Sequence, residues 1–194
     1  KDRILAREFG KDFFDGDRKY GYGGYKYNPK FWQPVIPTFE RYWHLDSYSS
    51  ILDVGCGKGY LLYEFTQVVP GVEVTGIDIS EYGIEHAKQE VAPFLQVGNA
   101  INLPYDDNSF DYVVSITTLH NLYNFQLHKA VKEIERVGNN NRKHIAIESY
   151  RNEREKANLL YWQLTCRSFY TPEEWEWVFE QCGYTGDYSY IVFQ

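Results

Sequence analysis

Ile51-Leu52-Asp53-Val54-Gly55-Cys56-Gly57-Lys58-Gly59-Tyr60-Leu61 decides how the rest of this chain is read. An apolar run carrying a single acid predicts a buried strand over Ser50 to Val54. Three glycines at alternate positions then interrupt any regular element. From Tyr60 the spacing of Leu61, Leu62, Phe65, Val68 and Val69 is that of the inner face of a helix running to Val69. Strand, glycine turn and helix in this order put side-chain-free backbone at the carboxyl end of a strand, where it can approach a ligand closely. Amides at the start of the helix add polar recognition there.

Working outward, short apolar runs alternate with segments of helical period, which predicts a layered α/β sheet. Pro70-Gly71 ends the first helix, and Val72 to Ile77 reads as a second strand. Ser80 is placed to cap a helix carrying Ile84, Ala87 and Val91, after which Phe94 to Val97 and Phe110 to Ile116 read as the third and fourth strands. Leu127, Ala130, Val131, Ile134 and Val137 mark an amphipathic helix that Gly138 and three asparagines stop. His144 to Glu148 is the fifth strand. Thr171-Pro172-Glu173-Glu174 combines an N-cap, a proline at the first helical position and a capping-box glutamate, so a helix burying Trp175, Val178, Phe179 and Cys182 runs from there to Gly183. A last strand is expected around Tyr188 to Phe193. The fold class is therefore α/β, with a doubly wound, mostly parallel sheet over residues 46–194. Residues 1–45 form an N-terminal extension, whose Tyr20-Gly21-Tyr22-Gly23-Gly24-Tyr25 is too glycine-rich for a strand or helix.

Length and charge narrow the partners. A chain of 194 residues fits one domain with a sizeable core. Its net charge of -7 would repel a polyanion, so nucleic acid is not an expected partner, and Arg136, Arg142, Lys143 and His144 read as a solvated turn. Cys56, Cys166 and Cys182 are an odd number without CxxC spacing, which predicts neither disulfides nor a metal site. No signal-like start and no run near the roughly 18 apolar residues of a membrane span are present, so a cytoplasmic protein is expected. The absence of methionine, even at position 1, raises the expectation that a start or a methionine-bearing segment is missing.

Two further strand ends add to the first. Gly76-Ile77-Asp78-Ile79-Ser80 places Asp78 beside the glycine turn, where a carboxylate can accept two ribose hydroxyls, and Gly98-Asn99-Ala100 puts an amide in reach of an adenine edge. With these three contacts the chain resembles the class I S-adenosylmethionine-dependent methyltransferases, most specifically in Leu-Asp-Val-Gly-Cys-Gly-Lys-Gly, and the resemblance extends over roughly residues 50 to 194. It implies a Rossmann-like seven-stranded sheet, of which six strands can be placed. It also implies S-adenosylmethionine as cofactor, S-adenosylhomocysteine as product and no metal. By the same resemblance Gly55, Cys56 and Gly57 flank the methionine part and Asp53 orients its amino group. Asp78 holds the ribose, Ile79 packs on adenine, Asn99 and Ala100 meet the adenine rim, and Ile116 lines the pocket. Many relatives carry aspartate where Asn99 stands. The rival is an NAD-binding oxidoreductase, since there too an acid follows the glycine loop by about 20 residues. Tyr60 in place of the third glycine of GxGxxG, and Asp53 where a pyrophosphate would lie, count against it.

On the acceptor side, Ile116-Thr117-Thr118-Leu119-His120-Asn121 follows the fourth strand, and His120 is the candidate proton acceptor, because imidazole titrates near neutrality. Glu148 and Tyr150, ending the fifth strand, point to the same edge. Tyr20, Tyr22 and Tyr25 would form a lid hinged on glycines, with Arg18 and Lys19 available to an anionic acceptor. Trp162 lies in the segment that would supply an aromatic wall. The expected activity is methyl transfer to oxygen or nitrogen of a small-molecule acceptor by in-line displacement. The alternative within the same fold is a regulatory protein that holds the cofactor without chemistry. Oligomeric state is left open.

Overall fold

The computed structural model describes residues 2–194; residue 1 of the expected extension lies outside them. In chain order the elements are helices α1 (Asp2–Ala6), α2 (Lys11–Asp15), α3 (Pro29–Trp32) and α4 (Ile36–Trp43), then β1 (Ser50–Val54), α5 (Tyr60–Val68), β2 (Glu73–Asp78), α6 (Glu81–Glu85), β3 (Leu95–Val97), β4 (Tyr112–Ile116), α7 (Asn124–Val137), β5 (Lys143–Glu148), α8 (Glu153–Trp162), α9 (Pro172–Cys182) and β6 (Asp187–Ile191). The strands make one sheet in the order β3-β2-β1-β4-β5-β6, every neighbouring pair parallel. Six strands stand where seven were expected among the described residues, and none runs antiparallel.

Period-two alternation divides the core into two layers. Leu52, Val54, Val113, Ile145 and Ile147 face α7 and α9, packing with Leu127, Val131, Ile134, Trp175 and Phe179. Ile51, Val74, Tyr112 and Val114 face the other way onto Phe65 and Leu62 of α5 and Trp43 of α4. The order in which strands are added reverses at β1, with β2 on one side and β4 on the other, and this opens a crevice at the carboxyl ends of β1, β2 and β4, the place where doubly wound sheets bind ligands.

Several boundaries differ from expectation for visible reasons. Helix α6 stops at Glu85 instead of running to Val91, because the Lys88 amide donates to the Lys58 carbonyl at 2.9 Å and draws the chain against the glycine turn. Val91 is nonetheless buried. β4 begins at Tyr112, since Phe110 makes only an isolated bridge to Gly138. The expected final strand moves to Asp187–Ile191, aligned with His144 to Glu148 of β5. The expected basic turn disperses: Lys143 is buried and reaches Glu135, Arg142 donates to the Tyr112 hydroxyl, and the His144 ring packs edge-on against Phe39.

Candidate active site

The turn after β1 is built on glycines that no other residue replaces cheaply. Gly55 has φ +90°, and a Cβ there would stand 2.0 Å from Thr118 Oγ1. Gly57, at φ +54°, would direct a Cβ towards Phe14 and Tyr25 of the N-terminal segment. The Gly57 amide instead donates to Asp78 Oδ2 at 2.8 Å, and the Ser80 amide to Asp78 Oδ1 at 2.8 Å, so the carboxylate ending β2 is fixed beside the turn. Burial raises the Asp78 carboxyl, and those two amide bonds oppose the rise.

A cavity of about 290 Å³ opens above these strand ends. Asp53, Gly55, Cys56, Gly57, Asp78, Ile79, Asn99, Ala100 and Ile116 all line it. Asp53 is buried, and desolvation, with Asp78 adding to it, pushes its carboxyl up to about 8. A carboxyl in that state favours a ligand that brings its own positive charge. Ile79 is 54% exposed at the rim, an apolar surface available to a flat ring. The Asn99 side-chain oxygen accepts from the Ile101 amide at 3.1 Å. Cys56 is buried, with its thiol held well above the ordinary range by desolvation.

The N-terminal segment supplies the opposite wall through Phe9, Phe13, Phe14, Tyr22, Tyr25 and Trp32. Tyr22 and Tyr25 fold back so that their amides donate to the Phe13 and Phe14 carbonyls, each at 2.8 Å. The segment is fastened to the glycine turn itself. Lys58 Nζ lies 2.6 Å from Asp15 Oδ2 and 3.1 Å from the Tyr25 carbonyl, and the Tyr60 hydroxyl donates to that carbonyl at 3.0 Å while its ring stacks on Tyr25. Burial works to raise the Asp15 carboxyl, but hydrogen bonds from Lys58 and Tyr82 outweigh it and hold it low. Lys58, Asp15, Phe13, Phe14 and Trp32 escaped the sequence reading. Tyr60, read only as a missing glycine, turns out to hold the cover.

A second cavity of about 170 Å³ adjoins the first, sharing Phe13, Tyr22, Thr117 and Asn121 with it. Tyr22 is 45% exposed and lines both cavities. Its hydroxyl is pushed up to about 12 by burial, with the charges of Glu148 on one side and Asp78 on the other contributing. Thr117 at the junction has φ +53°, a strained conformation for a β-branched residue, of the kind that persists at functional positions. His120 Nε2 stands 3.6 Å from Glu148 Oε2. Burial lowers the His120 imidazole to about 3 and raises Glu148 to about 7, the latter against a hydrogen bond from Gln163. Near neutral pH the imidazole is thus uncharged, and His120 Nδ1, Glu148 Oε2 and Asn121 Oδ1 are buried without hydrogen-bond partners among the described residues.

Two expected residues stand apart. Tyr20 lines neither cavity, because its amide closes a local turn on Asp17 and its ring lies under Lys19. Tyr150 is buried beneath Lys156 and also lines neither. Trp175 belongs to the core, donating from its indole to the Glu148 carbonyl at 3.2 Å, whereas Trp162 lines the second cavity.

A parallel sheet of this order, with a glycine turn after β1 and acids at the ends of β1 and β2, defines an α/β domain that binds its ligand at the strand ends. Residues 52–145 match the family described as methyltransferase domain. Over 114 residues the chain is 37% identical to the demethylmenaquinone methyltransferase of Symbiobacterium thermophilum, an overlap of 55% of this chain and 45% of that one. The chain thus spans less than half the length of the curated relatives it matches. Among solved structures, the phosphoethanolamine N-methyltransferase 2 of Haemonchus contortus, in complex with phosphomonomethylethanolamine and S-adenosylhomocysteine, superposes with a TM-score of 0.66 at 18% identity over 93% of this chain and 44% of that one. The YcgJ protein of Bacillus subtilis gives 0.64 at 21% identity over 77% and 68%. At those identities the two structures establish the fold.

No helix among the described residues is long and apolar enough to cross a membrane.

Proposed function

We propose that the chain transfers a methyl group from S-adenosylmethionine to an oxygen or nitrogen of a small-molecule acceptor. The observation that carries this reading is the convergence of Asp53, Asp78 and Asn99, from three successive strand ends, on one cavity beside a glycine turn. The residues suit that cofactor. Asp53, a buried carboxyl with no cation beside it, would meet the α-ammonium; Asp78, already fixed by two amides, would accept the ribose hydroxyls. Ile79, Asn99 and Ala100 would surround adenine, and Gly55, Cys56, Gly57 and Ile116 would leave room for the methionine part. N-terminal Phe14, Tyr22 and Tyr25 would serve as the cover, held shut by Lys58, Asp15 and Tyr60.

When bound, the cofactor supplies a methyl group on a sulfonium, an activated leaving group. The chain's contribution is therefore mainly alignment and exclusion of water. Acceptor atoms would sit at the junction of the two cavities, between Tyr22, Thr117 and Asn121. The acceptor's proton would pass to His120, whose imidazole burial lowers to about 3 and which becomes an effective acceptor only when the Glu148 carboxylate 3.6 Å away is ionised and can pair with the imidazolium. Turnover is therefore expected to rise with pH through about 7.

The test is formation of S-adenosylhomocysteine over a panel of small hydroxyl, carboxyl and amine acceptors. Turnover with at least one is expected, and His120→Gln should lower it by about 100-fold or more without weakening cofactor binding. Cofactor binding with no turnover across the panel would favour the regulatory alternative.

A further inference from the structure

The second cavity is lined both by His120 and Glu148, 3.6 Å apart, and by Arg18, whose guanidinium lies 4.7 Å above the Trp162 ring. We propose that this cavity takes an acceptor bearing a carboxylate or phosphate, its anionic group held by Arg18 and its reacting atom at the Thr117 and Asn121 junction beside His120. The reacting end of this assignment rests on the methyltransferase reading; the anionic end stands on the arginines alone.

Charge pairing supports it. Arg136 and Arg151 are neutralised by carboxylates at 2.8 and 2.5 Å, Arg142 donates to the Tyr112 hydroxyl, and Arg41 and Arg154 are exposed to solvent. Around residues 160 to 167 four more arginines stand without a carboxylate among the described residues. Arg3 donates to the Leu160 carbonyl, Arg7 to the Cys166 carbonyl and Arg18 to the Gly21 carbonyl, while Arg167 lies over the Tyr123 ring. None of these four has a carboxylate partner among the described residues, in a chain whose net charge is -7. Arg7 Nε is buried with no partner, and burial together with the like charges of Arg167 and Arg3 depresses that guanidinium. Like charges so placed repel one another and favour an arriving anion, and Arg18 is the one of the four that lines the cavity.

Geometry makes Arg18 the contact residue. Of its five N–H donors one is committed to Gly21, and stacking on Trp162 holds the guanidinium plane while leaving its edges free for a bidentate oxyanion. Trp162 itself is 53% exposed, as expected of a wall awaiting a ligand. Arg18 does not line the cofactor cavity, so its replacement separates the two sites.

The experiment titrates inorganic phosphate, benzoate and neutral benzamide into the full chain saturated with S-adenosylhomocysteine, using wild type, Arg18→Gln and Arg18→Lys. At least one anion should bind more tightly than benzamide. Arg18→Gln should weaken it tenfold or more, Arg18→Lys less, and both variants should keep wild-type affinity for S-adenosylhomocysteine. Binding of phosphate alone indicates a phosphorylated acceptor, and of benzoate alone a carboxylate. The proposal is overturned if neither anion outbinds benzamide, or if Arg18→Gln binds them as wild type does. Should S-adenosylhomocysteine itself not bind, the cofactor reading fails, and the same anion series on the unloaded chain still decides the role of Arg18.

Discussion

Asp53 shows how much one buried group couples site to stability. Its carboxyl titrates near 8 in the folded chain against an ordinary 3.8, so folding holds an extra proton between those values. Glu148, raised from 4.5 to about 7, acts in the same direction. For groups raised in this way the stabilising effect is complete below the unfolded value and is lost as pH climbs through the folded one. His120 is opposite: lowered from 6.5 to about 3, it contributes above 6.5 and loses that contribution as pH falls. Between pH 6.5 and 8.5 His120 adds only ~0.4 kcal/mol as its unfolded form loses the rest of its proton, while the two carboxyls lose their stabilising effect. Thermal melts of the ligand-free chain should show a loss of about 1 to 3 kcal/mol over that range, reduced in Asp53→Asn. A flat profile in wild type, or one unaltered in Asp53→Asn, would contradict the buried, uncompensated carboxyl. The positions of Asp53, Asp78 and Asn99 were legible in the sequence because the first two stand at the ends of apolar runs read as strands and the third just after one. The partnership of His120 with Glu148 was not, since it depends on β5 lying beside β4 in a particular register.

At the scale of elements, legibility followed the strength of local chemistry. Helix α9 was readable to the residue because Thr171 and Glu174 close a capping box, the Glu174 amide donating to Thr171 Oγ1 at 3.3 Å and the Thr171 amide to Glu174 Oε2 at 2.8 Å. Helices α1, α2 and α3 have four or five residues each, too few for a helical period to show, and so the N-terminal segment read as an extension and lid in which no helix was placed. What orders it lies far away in sequence, in Lys58, Tyr60 and Tyr82. Removing Asp15 leaves the Lys58 ammonium, whose side chain is 7% exposed, with only the Tyr25 carbonyl. Fully buried pairs cost about 3–5 kcal/mol to break in this way, and with Asp15 a quarter exposed about 2 kcal/mol is expected here. Asp15→Ala should therefore speed amide exchange over residues 9–27 and weaken S-adenosylhomocysteine binding by about tenfold. Unchanged exchange and affinity would show that the pair does not fasten the cover.

For the molecule as a whole, the order of the strands does what no single motif can. Parallel β1, β2, β3 and β4 bring residues 53, 78, 99 and 116 to one edge, and the N-terminal segment closes over them. The shortfall of one strand from the expected seven leaves this arrangement intact, since the sheet edge that carries the site is formed by the first four strands. The cover and the second cavity came from tertiary packing that a periodicity cannot encode. A chain so arranged should gain stability from its cofactor by mass action, about 2.7 kcal/mol at a hundredfold excess over the dissociation constant. The most direct measurement is a calorimetric titration of the full chain with S-adenosylmethionine, S-adenosylhomocysteine and NAD, repeated on Asp78→Ala. Both sulfur nucleosides should bind one per chain, NAD should not, and Asp78→Ala should lose affinity at least tenfold. Binding of NAD in their place, or of neither sulfur nucleoside, would contradict the assignment of this cavity.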